Sequence, residues 1–142
     1  MKNYQTSEIK NVVLLGAPGS GKTTFAEAMA FEGKVIDRRG SIENENTLSD
    51  NTDLEHSNRR SIYSTILYTE FMNHKLNIID APGSDDFSGG LFAAFKVADV
   101  GLMLFNAQNG FEVGSEIQSR YAKTYNVPLV GVINQLDSEK AN

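Results

Sequence analysis

Gly16-Ala17-Pro18-Gly19-Ser20-Gly21-Lys22-Thr23-Thr24 follows the apolar run Asn11-Val12-Val13-Leu14-Leu15 and leads into Lys22 to Phe31, where Phe25, Ala28 and Met29 fall at helical spacing. The β-branched and leucine run reads as a buried strand and the following segment as a helix. Gly16 to Thr23 fits G-x-x-x-x-G-K-[ST] without a mismatch. The order has a chemical reason. Glycines let the backbone turn tightly, so that consecutive N–H groups point at phosphate oxygens. The helix start adds its partial positive charge. The pattern predicts that Lys22 bridges β- and γ-phosphates and that the Thr23 hydroxyl ligates Mg²⁺. The loop selects no nucleobase and suits ATPases and kinases as well as GTPases.

Downstream, Leu76 to Ile79 reads as a strand and runs into Asp80-Ala81-Pro82-Gly83. A carboxylate at the end of a strand beside the phosphate-loop strand can hold Mg²⁺ through water, and the Gly83 N–H can then meet a γ-phosphate. Pro-Gly alone is ordinary turn chemistry; its place at a strand end is what makes Asp80 informative. Leu129 to Ile133 reads as another strand, closed by Asn134-Gln135-Leu136-Asp137. This segment is similar to the guanine signature N-K-x-D. The Asp137 carboxylate can accept from guanine N1–H and its exocyclic amine, a donor pair that adenine lacks. Asn134 can contact the purine edge and tie this loop to the phosphate loop. Gln135 keeps the aliphatic stem of the usual lysine without its charge.

Between these motifs, Ile62 to Phe71 reads as a strand that forms a hairpin with Leu76 to Ile79, its turn ending at His74-Lys75. Leu91 to Val97 reads as a helix with Leu91, Ala94 and Phe95 on one face. Val100 to Phe105 reads as a central strand. Ser115 and Gln118 have capping-box spacing ahead of a helix running to about Tyr125. Phe25, Phe92, Phe95 and Phe105 read as core, and His56 and His74 as surface histidines. Strands alternating with helices imply an α/β fold of P-loop NTPase type: a mostly parallel sheet with one antiparallel edge strand and helices on both faces.

All of this lies in 142 residues, one domain's worth of chain. Thirteen basic and 18 acidic residues leave a net charge of −5, which argues against a general nucleic-acid binder and against sequence-specific DNA binding. The absence of cysteine excludes disulfides and thiolate metal sites. No apolar run reaches membrane-spanning length and the first residues carry no signal core, so the expectation is a cytoplasmic domain with no membrane partner.

The three motifs, in this order, resemble the GTP-binding domain of translational GTPases, most closely the elongation factor G family. The segment Leu76 to Phe87 is similar to that family's N-I-I-D-T-P-G-H-V-D-F, and Ala98-Asp99, Ala107, Gly110, Glu112, Glu116 and Val127-Pro128 fall where the family has similar residues. The resemblance covers about Glu8 to Asp137. It implies GTP/GDP and Mg²⁺ as ligands, GTP hydrolysis, the ribosome as partner, a first switch at Gly33 to Arg60 and a second at Asp80 to Gly90, with Gly89-Gly90 lending the second its flexibility. The family domain continues past N-K-x-D, so the resemblance also implies an N-terminal piece of a longer protein, truncated at the C-terminus before the final strand and helix. Apolar surface left bare there would favour self-association of the fragment.

Departures from the family concern chemistry. Ser84 stands where the family has a histidine acting on the attacking water, so Lys22, Gly83 and Ser84 are the candidate catalytic residues. Gly19 replaces a family aspartate. The family's R-G-I-T, whose threonine contacts Mg²⁺, meets Arg59-Arg60-Ser61-Ile62-Tyr63-Ser64-Thr65 here. Tyr63 takes the most direct match, with Ser61, Ser64 and Thr65 as alternative ligands; Arg59 and Arg60 could support phosphates or face a ribosomal partner. These changes leave two functions open, a GTPase and a nucleotide-dependent binding switch with little or no hydrolysis.

Overall fold

The computed structural model describes residues 2–50, 52–58, 61–84 and 88–141, with only the backbone described at Ser88. After a 3₁₀ turn at Thr6–Glu8, the chain runs through β1 (Ile9–Leu15), α1 (Lys22–Glu32), α2 (Asp53–Asn58), β2 (Thr65–Phe71), β3 (His74–Asp80), α3 (Ser88–Phe95), β4 (Val100–Asn106), α4 (Val113–Thr124) and β5 (Leu129–Asn134). Sheet order is β2-β3-β1-β4-β5. The β1–β3, β1–β4 and β4–β5 pairs are parallel, and β2 lies antiparallel to β3 at one edge. The expected mostly parallel sheet with one antiparallel edge strand is what forms.

Alternation along β1 explains the two layers. Val12 and Leu14 pack with Ile78, Leu104 and Ala26 of α1, with Phe25 and Met29 half-buried beside them. Val13 and Leu15 pack with Ile79, Met103, Leu91, Ala94 and Phe95 of α3, and Ala122 of α4. Val13, Leu14 and Leu15 are at most 1% exposed, and burying each such side chain contributes about 1.5–3 kcal/mol. The central strand is therefore apolar on both sides, and it ends at the phosphate loop.

Parallel register brings the motifs together. Leu14 lies opposite Asp80, and Asn106 opposite Asn134, so Gly16, Asp80 and Asn134 all sit at the C-terminal edge of the sheet. Open α/β sheets place ligands at this edge.

Several boundaries differ from the sequence expectation. His74-Lys75 belongs to β3, and the turn is Met72-Asn73, both with positive φ (47° and 63°); polarity marked a turn two residues late. Strand β2 starts at Thr65, three residues beyond Ile62, and α3 starts at Ser88 and ends at Phe95. Helix α4 starts at Val113 with Glu112 as N-cap, so Ser115 and Gln118 lie inside it and form no capping box. Among the expected core aromatics, Phe95 is buried, while Phe25, Phe92 and Phe105 are half-buried.

Candidate functional site

The phosphate loop needs its glycines. Gly16, Gly19 and Gly21 have φ of 133°, 78° and 90°, a region other residues avoid. A Cβ on Gly21 would stand 2.3 Å from Asn134 Nδ2. That nitrogen donates to the Ser20 carbonyl at 2.9 Å, and Gln135 Nε2 donates to the Gly19 carbonyl at 2.9 Å. The loop after β5 is thus tied to the phosphate loop by two side-chain amides. Leu136 and Asp137 are exposed on the same loop.

Lys22, the first residue of α1, is buried, and its Nζ donates to the carbonyls of Gly16 (2.9 Å) and Ala17 (3.0 Å). Burial pulls its pKa down to about 8, against the opposing pull of Asp80, Glu112 and Asp50. Thr23 Oγ1 donates to Asp80 Oδ2 at 2.8 Å and lies 3.1 Å from Ser61 Oγ. Asp80 is 1% exposed, and burial pushes its carboxyl pKa up against the Thr23 hydroxyl and the Lys22 ammonium. Its Oδ1, like both carboxylate oxygens of buried Asp50, has no hydrogen-bond partner among the described residues.

A cleft of about 270 Å³ opens over these groups. Pro18, Gly19, Gly21, Lys22, Thr23 and Thr24 line one side; Ile42 and Glu43, Asp50 and Ser61, Gly83 and half-buried Ser84, and Gln135 complete it. Gly83 approaches so closely that a Cβ there would sit 2.5 Å from Lys22 Nζ and 2.9 Å from the Pro18 nitrogen. Ala81 and Pro82 are buried behind it. Lys22, Thr23, Asp80 and Gly83 therefore converge, while Asp137 stands exposed outside the cleft lining.

Among the described residues of the stretch expected as the first switch, two buried carboxylates that sequence reasoning missed bind the backbone. Glu27 of α1 accepts from the N–H groups of Gly40 (2.9 Å) and Leu48. Glu55 of α2 accepts from Ile62 N–H (3.1 Å), Tyr63 N–H (3.2 Å) and the Thr52 hydroxyl (2.8 Å). These anchors bring Ser61 to Thr23. Tyr63 is 57% exposed, Thr65 Oγ1 donates to the Ser49 carbonyl at 3.1 Å, and Ser64 packs on Gly90. His74 is exposed as expected, whereas His56 is half-buried with Nε2 2.9 Å from the Asp50 carbonyl. Arg59, Arg60, Asp85, Asp86 and Phe87 lie outside the described residues. Glu27 carried a sequence signal, a carboxylate on the same helix face as Ala30; Asp50 carried none.

Oxygen donors, a buried lysine and a glycine-walled cleft lie together at the C-terminal edge of the sheet. The sequence over residues 7–142 matches the family model described as the elongation factor Tu GTP binding domain. The chain belongs to this family. As an elongation factor Tu-type GTP-binding domain it is 33% identical over 134 residues to the elongation factor G-like protein of Mycobacterium tuberculosis, covering 94% of this chain and 19% of that protein. It is 30% identical over 141 residues to elongation factor G of Dehalococcoides mccartyi, covering 99% and 20%. A crystal structure of a Thermus thermophilus protein superposes with a TM-score of 0.89 at 33% identity, over 92% of this chain and 20% of that one. The chain thus spans about a fifth of the length of these relatives. No helix among the described residues is long and apolar enough to cross a membrane.

Proposed function

We propose that this GTP-binding domain works as the guanine-nucleotide switch of a longer translational GTPase, acting with the ribosome in the cytoplasm. The observation that carries the reading is the convergence of Lys22, Thr23, Asp80 and Ser61 around buried carboxylate oxygens that lack partners among the described residues. An unpaired buried carboxylate oxygen is costly, and the all-oxygen donor set suits Mg²⁺. Thr23, Ser61 and Asp80 are the residues that would hold it. Bound there, Mg²⁺ would supply positive charge to offset that of a triphosphate. The chain's own groups do the rest. Backbone N–H groups of the loop between Gly19 and Thr24 cradle the phosphates. Lys22 moves its ammonium from the Gly16 and Ala17 carbonyls to phosphate oxygens. The Gly83 N–H meets the γ-phosphate, and Asn134, Gln135, Leu136 and Asp137 read guanine.

The test is competition of GTP against ATP for this chain in Mg²⁺. GTP wins under this reading, and Lys22→Ala abolishes tight binding of either. ATP winning would remove the assignment.

Ser84 favours a second reading of the same site, a nucleotide-dependent binding switch with little or no hydrolysis. A serine hydroxyl can orient water but cannot carry positive charge, and losing such a group costs about 10²–10⁴ in rate. Single-turnover hydrolysis on ribosomes by the longer factor separates the two. A rate that rises in Ser84→His supports the slow switch; a wild-type rate equal to that of a histidine-bearing relative supports the full GTPase.

A further inference from the structure

Gln118 is 2% exposed, in the middle of α4, and its carboxamide is turned toward the nucleotide cleft instead of toward solvent. Its Oε1 accepts from the Gly16 N–H at 2.7 Å, a contact spanning 102 residues of sequence. Its Nε2 faces two carbonyls, Gly16 at 3.4 Å and Gly83 at 3.5 Å. A carboxamide has one acceptor and two donors, so one side chain serves the first residue of the phosphate loop and the glycine after Asp80 together. Helix α4 lies close to the same two segments at a second point. A Cβ on Gly114 would stand 3.7 Å from Ala17 Cα and 3.8 Å from the Gly83 carbonyl oxygen.

The Gly16 carbonyl is shared. Lys22 Nζ donates to it at 2.9 Å, and Gln118 is its other side-chain donor. When the ammonium turns to a triphosphate, Gln118 is the donor left at that carbonyl. The same NH₂ group holds the Gly83 carbonyl, across the Gly83 Cα from the N–H that would address the γ-phosphate.

We propose that Gln118 is a positioning residue that couples the Gly83 peptide to the phosphate loop and to helix α4, so that the protein's preference for triphosphate over diphosphate depends on it. This rests on the guanine-nucleotide reading above. Gln118 touches no nucleotide; it acts through Gly16 and Gly83.

The experiment measures affinities of this chain for GDP and for the non-hydrolysable β,γ-imido analogue of GTP, in wild type, Gln118→Met and Gln118→Glu. Methionine keeps the length and removes every hydrogen bond. Glutamate keeps the acceptor for Gly16 N–H and removes both donors. Both variants should lose about tenfold in triphosphate-over-diphosphate preference, with glutamate retaining more of the GDP affinity than methionine. A purely structural role would lower the melting temperature and both affinities alike, and that result overturns the inference. A wild type that binds neither nucleotide overturns the guanine-nucleotide reading and this inference with it. A measurement on wild type alone guards against variants that do not fold. The Gln118 side-chain NH₂ resonances should shift further on adding the imido triphosphate with Mg²⁺ than on adding GDP; equal shifts with both ligands would equally refute the coupling.

Discussion

Thr23 and Ser61 lie 38 residues apart in sequence, yet their hydroxyl oxygens approach to 3.1 Å beside the Asp80 carboxylate. Of the first-switch hydroxyls, Ser61 faces the cleft, while Thr65 is bonded to Ser49 and Ser64 is packed on Gly90. Ser61→Ala should weaken GTP binding in Mg²⁺ by about 10–100-fold and leave Mg²⁺-free binding nearly unchanged. Ser64→Ala and Thr65→Ala should stay within about twofold of wild type. A Mg²⁺ titration of GTP affinity across the three variants checks this.

Glu55 should give the backbone at Ile62 and Tyr63 a pH dependence in the acid range. Burial raises its carboxyl pKa, but the hydrogen bonds from Thr52, Tyr63 and Ile62 outweigh burial and hold it below the ordinary glutamate value. A carboxyl lowered by folding adds stability that is complete above its unfolded value and is lost as pH falls through the folded one. The Ile62 and Tyr63 amide resonances should therefore be constant at neutral pH and move only below the ordinary glutamate range. Glu55→Gln should abolish that acid-range movement and cost about 1–3 kcal/mol of stability.

Asp137 is exposed and outside the cleft lining, on a loop already tied down through Asn134 and Gln135. Its carboxylate offers two acceptors, which suits guanine. A carboxamide offers a donor and an acceptor, which suits xanthine. Asp137→Asn should lower GTP affinity about 10–100-fold and raise affinity for xanthosine triphosphate. Parallel titrations with the two triphosphates read the exchange directly.

The two glycines that open α3 differ in kind. A Cβ on Gly89 would meet nothing within 4 Å, whereas one on Gly90 would lie 2.3 Å from Ser64 Oγ. Gly89→Ala should stabilise by about 0.5–1 kcal/mol through helix propensity. Gly90→Ala should destabilise, and adding Ser64→Ala should recover most of the loss, because the Ser64 hydroxyl is buried without a partner among the described residues. Thermal unfolding of the two single variants and the double variant decides it. The expectation that both glycines serve flexibility holds no special place for Gly90, whose need is closeness.

Strand β5 supplies a fifth measurement. It forms one edge of the sheet, with Leu129, Val130 and Ile133 exposed by 39–63% and no charged residue along it. Exposed apolar edges pair with other chains, so the sedimentation coefficient of this chain should rise with concentration. Val130→Lys should suppress the rise.

What was legible in the sequence was what local chemistry decides. The strand, glycine turn and helix from Asn11 to Phe31 are contiguous, so one motif delivers Lys22 and Thr23 together. Asp80 and Asn134 were legible because each ends an apolar strand, and parallel pairing carries strand ends to one edge. The choice of Ser61 over Ser64 and Thr65 was not, because its register is fixed by Glu55 and Glu27, carboxylates whose partners are backbone amides without a sequence mark. Gln118 was misread because the spacing of a capping box is also the spacing of two neighbours on a buried helix face. The hairpin turn fell two residues early because Met72 adopts positive φ, a conformation its side chain does not advertise.

With the Lys22 ammonium docked on the carbonyls of Gly16 and Ala17, the phosphate loop carries a tenant of its own. Under the proposed function, an arriving triphosphate would have to displace that internal cation's present partners, so its affinity would be the difference between two sets of contacts for one lysine. A cradle held this way would keep its shape between occupants at the expense of tightness.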